Sequence, residues 1–256
     1  MQSLEESVVM AMDGSDKELF PYLSYIVQDL WELGSDPETI IMLINKNFNK
    51  HENLKILDLG CGKGAVSIKT AERFKCRCHG IDAIEDFILF ARQKAIEYKV
   101  KELCSFEAGD IRECISGLPA YDVIILGSIG PVFGDYQNTL TTLRTYLVSG
   151  GIIIIDDAYI EDDSDFCNPL VLKHKDLIKQ INSCAMRLVE TVTAIKEEIS
   201  DINNNMHEKV KKRSLELLEK HPEKKKLFTD FIAMQEAQID VYTNKITCAA
   251  FVIETI

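Results

Sequence analysis

The chain has 256 residues, a formal net charge of −12, and 46% apolar against 27% charged residues. This length and balance suit one large α/β domain with a helical elaboration, and they exclude a disordered chain. The acidic charge argues against a protein that holds nucleic acid on a broad basic face.

Membrane and export signals are not expected. No run approaches roughly eighteen consecutive apolar residues, so we predict no transmembrane helix and no membrane partner. The first sixteen residues lack the basic start and the long apolar run of a secretory signal. A cytoplasmic location is therefore the default expectation.

The first fifty residues are predicted to be helical. Apolar side chains recur at helical spacing, at Leu19, Leu23, Ile26, Val27, Leu30 and Trp31. Gly34 and Ser35 break that pattern, after which Asp36 can cap a second helix with Pro37 at its first position. We assign residues 1–50 to an N-terminal helical cap.

Residues 55–155 alternate between strand and helix patterns. Strands are predicted at residues 56–59, 79–82, 104–108, 121–126 and 152–155, and helices at 64–74, 84–98 and 136–146. This alternation indicates βαβ units and a parallel sheet. Right-handed crossovers place the carboxyl ends of the strands on one edge, where ligands of such sheets bind.

The remaining third of the chain is predicted to complete the sheet and to extend it. Residues 169–184 favour a helix, and residues 186–195 fit either a strand or a continued helix. The charge-rich residues 197–243 indicate two helices hinged at His221-Pro222, and residues 245–256 indicate a closing strand. We therefore assign residues 51–256 to one α/β domain with a helical insertion at about 196–243.

The eight cysteines are interpreted as reduced, small apolar residues. Only Cys76 and Cys78 are close in sequence, and two thiolates do not complete a zinc site. We expect no metal.

The strongest motif is Asp58-Leu59-Gly60-Cys61-Gly62-Lys63-Gly64, between a predicted strand and a predicted helix. Asp82 ends the next strand 22 residues after Gly60, where a carboxylate can accept both hydroxyls of a ribose. Gly60-x-Gly62-x-x-Ala65 also fits the dinucleotide fingerprint, so spacing alone leaves an NAD site open.

In their order along the chain, these motifs resemble those of class I S-adenosylmethionine-dependent methyltransferases. The resemblance covers roughly residues 54–157 and rests on residues 58–64, Gly80-Ile81-Asp82, Ala108-Gly109-Asp110, Tyr121-Asp122 and Gly150-Gly151. It implies a Rossmann-like, doubly wound, mostly parallel seven-stranded α/β sheet with a reversed final hairpin. Residues 186–195 and 245–256 would supply the last two strands, and the N-terminal helices and the insertion would cap the substrate pocket.

The resemblance also implies a cofactor site for S-adenosylmethionine. Gly60, Gly62 and Gly64 would form the loop against the amino-acid portion of the cofactor. Asp58 would orient that loop and the cofactor ammonium, and Gly127 would offer its carbonyl to the same end.

For the adenosine portion, the resemblance implies four further residues. Asp82 would hold the ribose, with Ala83 beside the adenine. Asp110 would accept from the adenine amine, and Ile111 would pack on the ring.

Missing motifs narrow the class of acceptor. After the fourth strand, residues 126–131 lack the Asn/Asp-Pro-Pro-Tyr/Phe motif of amino-methylating enzymes of nucleic acid or protein glutamine, and also the Pro-Cys of cytosine-carbon enzymes. Asp156-Asp157 follows the fifth strand, but Gly127-Ser128 supplies no acid for the metal site of catechol-type enzymes. What remains is a small-molecule acceptor that is methylated at O, N or another heteroatom. We assign no catalytic residue. The helical insertion is compatible with a homodimer.

Two other functions stay open at this point. One is an NAD-type oxidoreductase that uses the same glycine loop. The other is a non-catalytic cofactor-binding module whose inserted helices recognise a partner.

Overall fold

The predicted alternation of strands and helices is present in the structure, a computed structural model that describes residues 2–256. Seven strands form one sheet: β1 (Lys55–Leu59), β2 (Arg77–Asp82), β3 (Cys104–Ala108), β4 (Tyr121–Gly127), β5 (Leu147–Tyr159), β6 (Met186–Thr193) and β7 (Thr247–Thr255). Their order is β3-β2-β1-β4-β5-β7-β6. The first five strands are parallel, whereas β7 runs antiparallel to both β5 and β6.

Helices cover both faces of this sheet, as continuous apolar strands require. They are α1 (Leu4–Ala11), α2 (Leu23–Ile26), α3 (Pro37–Asn47), α4 (Ala65–Phe74), α5 (Glu85–Glu97), α6 (Ile111–Cys114), α7 (Tyr136–Leu143), α8 (His174–Ser183), α9 (Lys196–Lys220) and α10 (Lys225–Asp240). One apolar core lies between the sheet and α3, α4 and α5, and the other between the sheet and α6, α7 and α8. The central strand β4 serves both cores, since Val123, Ile124 and Ile125 are fully buried.

The strand order creates a switch point between β1 and β4. The first strand, β1, lies inside the sheet. The chain then adds β2 and β3 on one side of β1 and returns to place β4 on its other side. The topology therefore predicts a crevice at the carboxyl ends of β1 and β4, where the connections diverge and where open α/β sheets bind ligands.

A third apolar cluster joins the N-terminal segment to the inserted helices. Leu23 and Ile26 of α2 lie in one cluster of buried apolar side chains with Leu217 of α9 and with Phe228 and Phe231 of α10. The first and last quarters of the chain therefore meet over the same end of the sheet.

Three element boundaries differ from the sequence-based expectation by five residues or more. The helix expected through Trp31 is a 3₁₀ turn at Lys17–Tyr22 followed by the single turn of α2. Helix α8 begins at His174, after an isolated bridge between Asn168 and Val171, and not near residue 169.

The third difference is that β5 begins five residues earlier than expected. Leu147 already pairs with Tyr121, and the register then shifts before Val123 pairs with Ile152. Gly151 permits this irregularity, because a Cβ there would lie 3.0 Å from the carbonyl oxygen of Asp122.

Residues 186–195, which fitted either element, form strand β6, and the two predicted inserted helices are α9 and α10. All eight cysteines lie among the described residues and are free thiols.

Candidate functional site

The glycine loop at the end of β1 uses the left-handed conformation three times, with φ of +71° at Gly60, +52° at Gly62 and +75° at Gly64. Two of these glycines also allow close packing. A Cβ at Gly60 would lie 2.3 Å from Cγ2 of Ile129, and one at Gly64 would lie 2.8 Å from Cβ of Ala91. These two positions therefore need glycine for the fold itself.

Gly62 differs from its neighbours, because a Cβ there would meet no clash, only an ordinary van der Waals contact with Leu33. Among the described residues, the nearest atom to a Cβ there is Cδ1 of Leu33, at 3.7 Å. The main chain at Gly62 can therefore be approached closely by a ligand in the crevice.

Asp82 lies at the end of β2 and faces the same loop. Its Oδ2 accepts from the main-chain N–H of Gly62 at 2.8 Å, and its Oδ1 accepts from the N–H of Ile84 at 2.9 Å. These bonds fix the carboxylate and leave one lone pair on each oxygen. Burial raises the pKa of Asp82 to about 6, although the same N–H groups oppose the rise.

Asp58, next to the loop on β1, is also buried. Its Oδ2 accepts from the hydroxyl of Ser67 on α4 at 2.6 Å. Burial raises the pKa of Asp58 to about 6 in spite of this bond, and the charge of Asp82 adds to the rise. The two carboxylates are thus close enough to interact.

Asp110 lies beside Asp82, because β2 pairs with β3 and the N–H of Gly109 donates to the carbonyl of Asp82 at 2.9 Å. The carboxylate of Asp110 is engaged by Arg112, whose Nε and Nη2 donate to it at 2.9 and 2.6 Å. Its Oδ1 also accepts from the N–H of Arg112, as the cap of α6. An adenine amine at this carboxylate would therefore have to displace or share the Arg112 contact.

The other two adenosine-side candidates, Ala83 and Ile111, directly follow Asp82 and Asp110 in the sequence. Ala83 is partly exposed directly after Asp82, and Ile111 is buried in the core beneath α6. The structure thus gathers all four candidates at the carboxyl ends of β2 and β3.

Gly127 ends β4 on the other side of the crevice and is covered by the N-terminal segment. A Cβ at Gly127 would lie 2.5 Å from Oγ of the buried Ser35, and one at Gly34 would lie 3.3 Å from the carbonyl oxygen of Gly127. The predicted carbonyl contact is therefore on the rim of the crevice, directly below residues 34–35.

Lys63 is the main feature that sequence reasoning missed, although it stands inside the motif. Its ammonium is buried and donates to the carbonyls of Val27 and Leu30, both at 2.6 Å. Its own carbonyl accepts from Nε1 of Trp31 at 3.1 Å. A charged residue between two loop glycines was the only sequence signal, and it could not identify these partners.

The end of β5 contributes two half-buried carboxyls next to the crevice. Burial raises the pKa of Asp156 to about 6 against the effect of the Ser35 hydroxyl beside it. Asp157 accepts from the Tyr136 hydroxyl and from the N–H of Ala158, each at 2.8 Å, and burial raises its pKa as well.

A second pair lies nearby, between the first helix and the turn before β7. The Tyr242 hydroxyl donates to Oδ1 of Asp13 at 2.8 Å, and the charge of Asp157 acts on Tyr242. Burial raises the pKa of Asp13. Sequence reasoning did not single out this pair.

Within residues 2–256, no three His, Cys, Asp or Glu side chains are grouped so that they could hold a metal ion. In the same described range, none of the helices combines the length and apolar character needed to cross a bilayer.

Comparison with known proteins places this chain in a family. A family model described as "Methyltransferase domain" matches residues 50–225. Malonyl-[acyl-carrier protein] O-methyltransferase of Bacillus cytotoxicus is 30% identical over 116 residues, which are 45% of this chain and 39% of that protein. The chain thus aligns with about two-fifths of the length of this curated relative.

Solved structures share the fold over nearly the whole chain. A SAM-dependent methyltransferase from Geobacter sulfurreducens, crystallised with S-adenosyl-L-homocysteine, has a TM-score of 0.75 at 19% identity, covering 92% of this chain and 98% of that one. The [4+2]-cyclase SpnF has a TM-score of 0.70 at 12% identity, covering 98% and 95%. Similarity at these identities shows the fold, and it confirms the doubly wound seven-stranded sheet expected from the sequence.

Proposed function

The chain belongs to the class I S-adenosylmethionine-dependent methyltransferase family, and from this premise we propose that it transfers a methyl group from S-adenosylmethionine to an oxygen or nitrogen atom of a small molecule. The observation that carries the proposal is the pairing of Gly62 with Asp82. A fixed, buried carboxylate lies directly beside a Cβ-free, uncrowded stretch of main chain.

The residues at the crevice fit the cofactor. The two free lone pairs of Asp82 match the two hydroxyls of a ribose, and Gly62 leaves room for the chain that joins the ribose to the amino acid. Asp58 and the carbonyl of Gly127 offer negative charge for an ammonium group. When bound, S-adenosylmethionine supplies an activated methyl group on its sulfonium.

The protein's own contribution is then alignment of the acceptor and exclusion of water, which supply much of the rate of such displacements. A proton acceptor is needed where the attacking atom carries a proton. Asp156 suits that task, since its pKa of about 6 leaves it mostly ionised at neutral pH yet able to take a proton.

The acceptor named for the Bacillus cytotoxicus protein is not carried over to this chain. The alignment spans 39% of that protein. Here, residues from the N-terminal segment, the end of β5 and the turn before β7 surround the crevice, and they determine which acceptor fits.

The two other candidate functions make different predictions. An NAD-type oxidoreductase would use the same loop and Asp82, but membership of the methyltransferase family disfavours it. A non-catalytic module deserves a test, because a [4+2]-cyclase has the same fold and a fold alone does not define a reaction.

Calorimetric titration with S-adenosylhomocysteine and with NADH separates these functions. We expect binding of S-adenosylhomocysteine with a Kd on the order of micromolar, and at least a tenfold loss in Asp82→Ala, or about 1.4 kcal/mol. Asp163→Ala, an exposed aspartate after β5, is the matched control and is expected to bind normally.

Tight binding of NADH, together with no detectable binding of S-adenosylhomocysteine, would refute the proposal. Transfer of labelled methyl groups into fractionated small-molecule extract tests catalysis, and its absence with every fraction would favour the binding module. A cytoplasmic location and a homodimer stay predictions, the second of which light scattering can test.

A further inference from the structure

Residues 27–36, which we name the strap, lie across the rim of the crevice between α2 and α3. The side chain of Leu33 faces Gly62 of the cofactor loop, and Ser35 covers Gly127 at the end of β4. The strap therefore spans the two sides of the switch point, over the place proposed for the amino-acid end of the cofactor.

Lys63 fastens the strap to the loop. Its ammonium donates to two strap carbonyls, those of Val27 and Leu30, at 2.6 Å each. Both follow the single turn of α2; the Val27 carbonyl also accepts from the N–H of Leu30 at 3.0 Å, and its second lone pair is free for the ammonium. The ammonium also lies 5.6 and 5.1 Å from the ring centres of Phe87 and Phe90 on α5.

A second bond runs in the opposite direction. Nε1 of Trp31 donates to the carbonyl of Lys63 at 3.1 Å, so this residue holds the strap through its side chain and its main chain. The Trp31 ring is fixed in turn by Tyr98, whose ring centre is 5.1 Å away.

The burial of Lys63 indicates that these contacts are strong. The residue is 4% exposed, and within residues 2–256 no carboxylate forms a hydrogen bond or an ion pair with it. Burial lowers the pKa of Lys63 to about 8. An ammonium without a carboxylate partner stays buried only where carbonyls and aromatic faces replace its water.

We propose that Lys63 is a positioning residue that fastens the strap over the cofactor loop, so that a closed strap and a bound cofactor stabilise each other. The contacts are present in the structure, and the linkage to the cofactor rests on the function proposed above. By reciprocity, whatever loosens the strap weakens cofactor binding, and bound cofactor shifts the equilibrium toward the closed strap.

Hydrogen exchange and calorimetry with S-adenosylhomocysteine test this linkage in the full chain. In Lys63→Met we expect faster amide exchange at residues 27–36, unchanged exchange in β1 and β4, and at least a tenfold rise in the Kd for S-adenosylhomocysteine. Lys69→Met is the matched control, because Lys69 also contacts the strap, but through a surface ion pair with Glu32 at 2.6 Å. Such pairs contribute little, so its Kd should change by less than about twofold.

Trp31→Phe provides a second variant that keeps the aromatic ring and removes the N–H donor. We expect faster strap exchange and a Kd raised about threefold to tenfold, in keeping with the loss of one partly buried hydrogen bond. If the strand amides of Lys63→Met exchange as fast as those of an unfolded chain, this variant has not folded, and Trp31→Phe alone tests whether the strap and the cofactor are linked.

The proposal would be overturned if the strap amides of the folded variants exchanged as slowly as in the wild type. It would also be overturned if these variants bound S-adenosylhomocysteine with the wild-type Kd. Failure of the wild-type protein to bind S-adenosylhomocysteine would instead refute the proposed function. The strap exchange of the free protein would still show whether Lys63 holds the strap.

Discussion

Replacing single loop glycines by alanine should separate the structural from the ligand-binding role of the glycine loop. Gly60 and Gly62 both have positive φ, but only Gly60 is crowded. Gly117 has φ of +83° and, within the described residues, no atom within 4 Å of a Cβ, so Gly117→Ala measures the backbone cost alone.

The expected magnitudes follow from these surroundings. An alanine in the left-handed region costs about 1–2 kcal/mol, which is the whole effect expected on the free energy of unfolding for Gly117→Ala and Gly62→Ala. Gly60→Ala adds a methyl group that would lie 2.3 Å from Cγ2 of Ile129, and such overpacking costs about 1–3 kcal/mol more. Only Gly62→Ala places its methyl group in the proposed cofactor cradle, so it should weaken S-adenosylhomocysteine binding by at least about tenfold.

Urea unfolding gives the stabilities, and calorimetry gives the affinities. Two results would refute the reasoning. Equal stability of Gly60→Ala and Gly117→Ala would mean that Ile129 does not confine the loop. Wild-type affinity in Gly62→Ala would mean that the ligand does not approach the main chain at this position.

Two further predictions concern buried polar groups. Because the pKa of Asp58 is about 6 in the folded protein and near 3.9 when unfolded, the wild type loses stability as pH rises from about 4 to 6. Asp58→Asn lacks this loss. In urea unfolding, its free energy of unfolding relative to the wild type should therefore be about 2–3 kcal/mol more favourable at pH 7 than at pH 4. A difference that does not change with pH would contradict the raised pKa of Asp58. Tyr136→Phe removes the 2.8 Å bond to Asp157, and we expect a loss of about 1–2 kcal/mol in the free energy of unfolding, whereas Tyr146→Phe, at a partly exposed site, should cost little; equal effects would contradict it.

The sheet and the glycine loop were predictable because their signals are local. Continuous apolar runs such as 123–126 and 152–155 indicate strands buried on both faces, and each run is followed by glycine or aspartate at its carboxyl end. Parallel pairing then brings Asp58, Asp82 and Asp110 to one edge without further information.

The arrangement over that edge was not predictable, because its contacts are distant in sequence. The apolar pattern through Leu30 and Trp31 predicted a continuous helix, but the chain leaves α2 in a turn, in which the Val27 carbonyl accepts from Leu30, and the carbonyls of Val27 and Leu30 bind Lys63. Asp110 was expected to be free for adenine, whereas Arg112, two residues away, occupies its carboxylate. Propensity and spacing could not reveal either competing contact.

The strap also joins the glycine loop to the helical insertion. Arg213 on α9 donates to both carboxylate oxygens of Asp29, at 2.6 and 2.8 Å, and Asp29 lies between the two strap residues whose carbonyls bind Lys63. The ion pair is partly exposed, and such pairs contribute little to stability, so the apolar cluster of α2 with α9 and α10 holds most of this connection. If the insertion caps the acceptor pocket, as the family resemblance implies, a shift of the insertion would move the same turn that Lys63 fastens, and we expect the two ligands to be linked in binding free energy even where they do not touch.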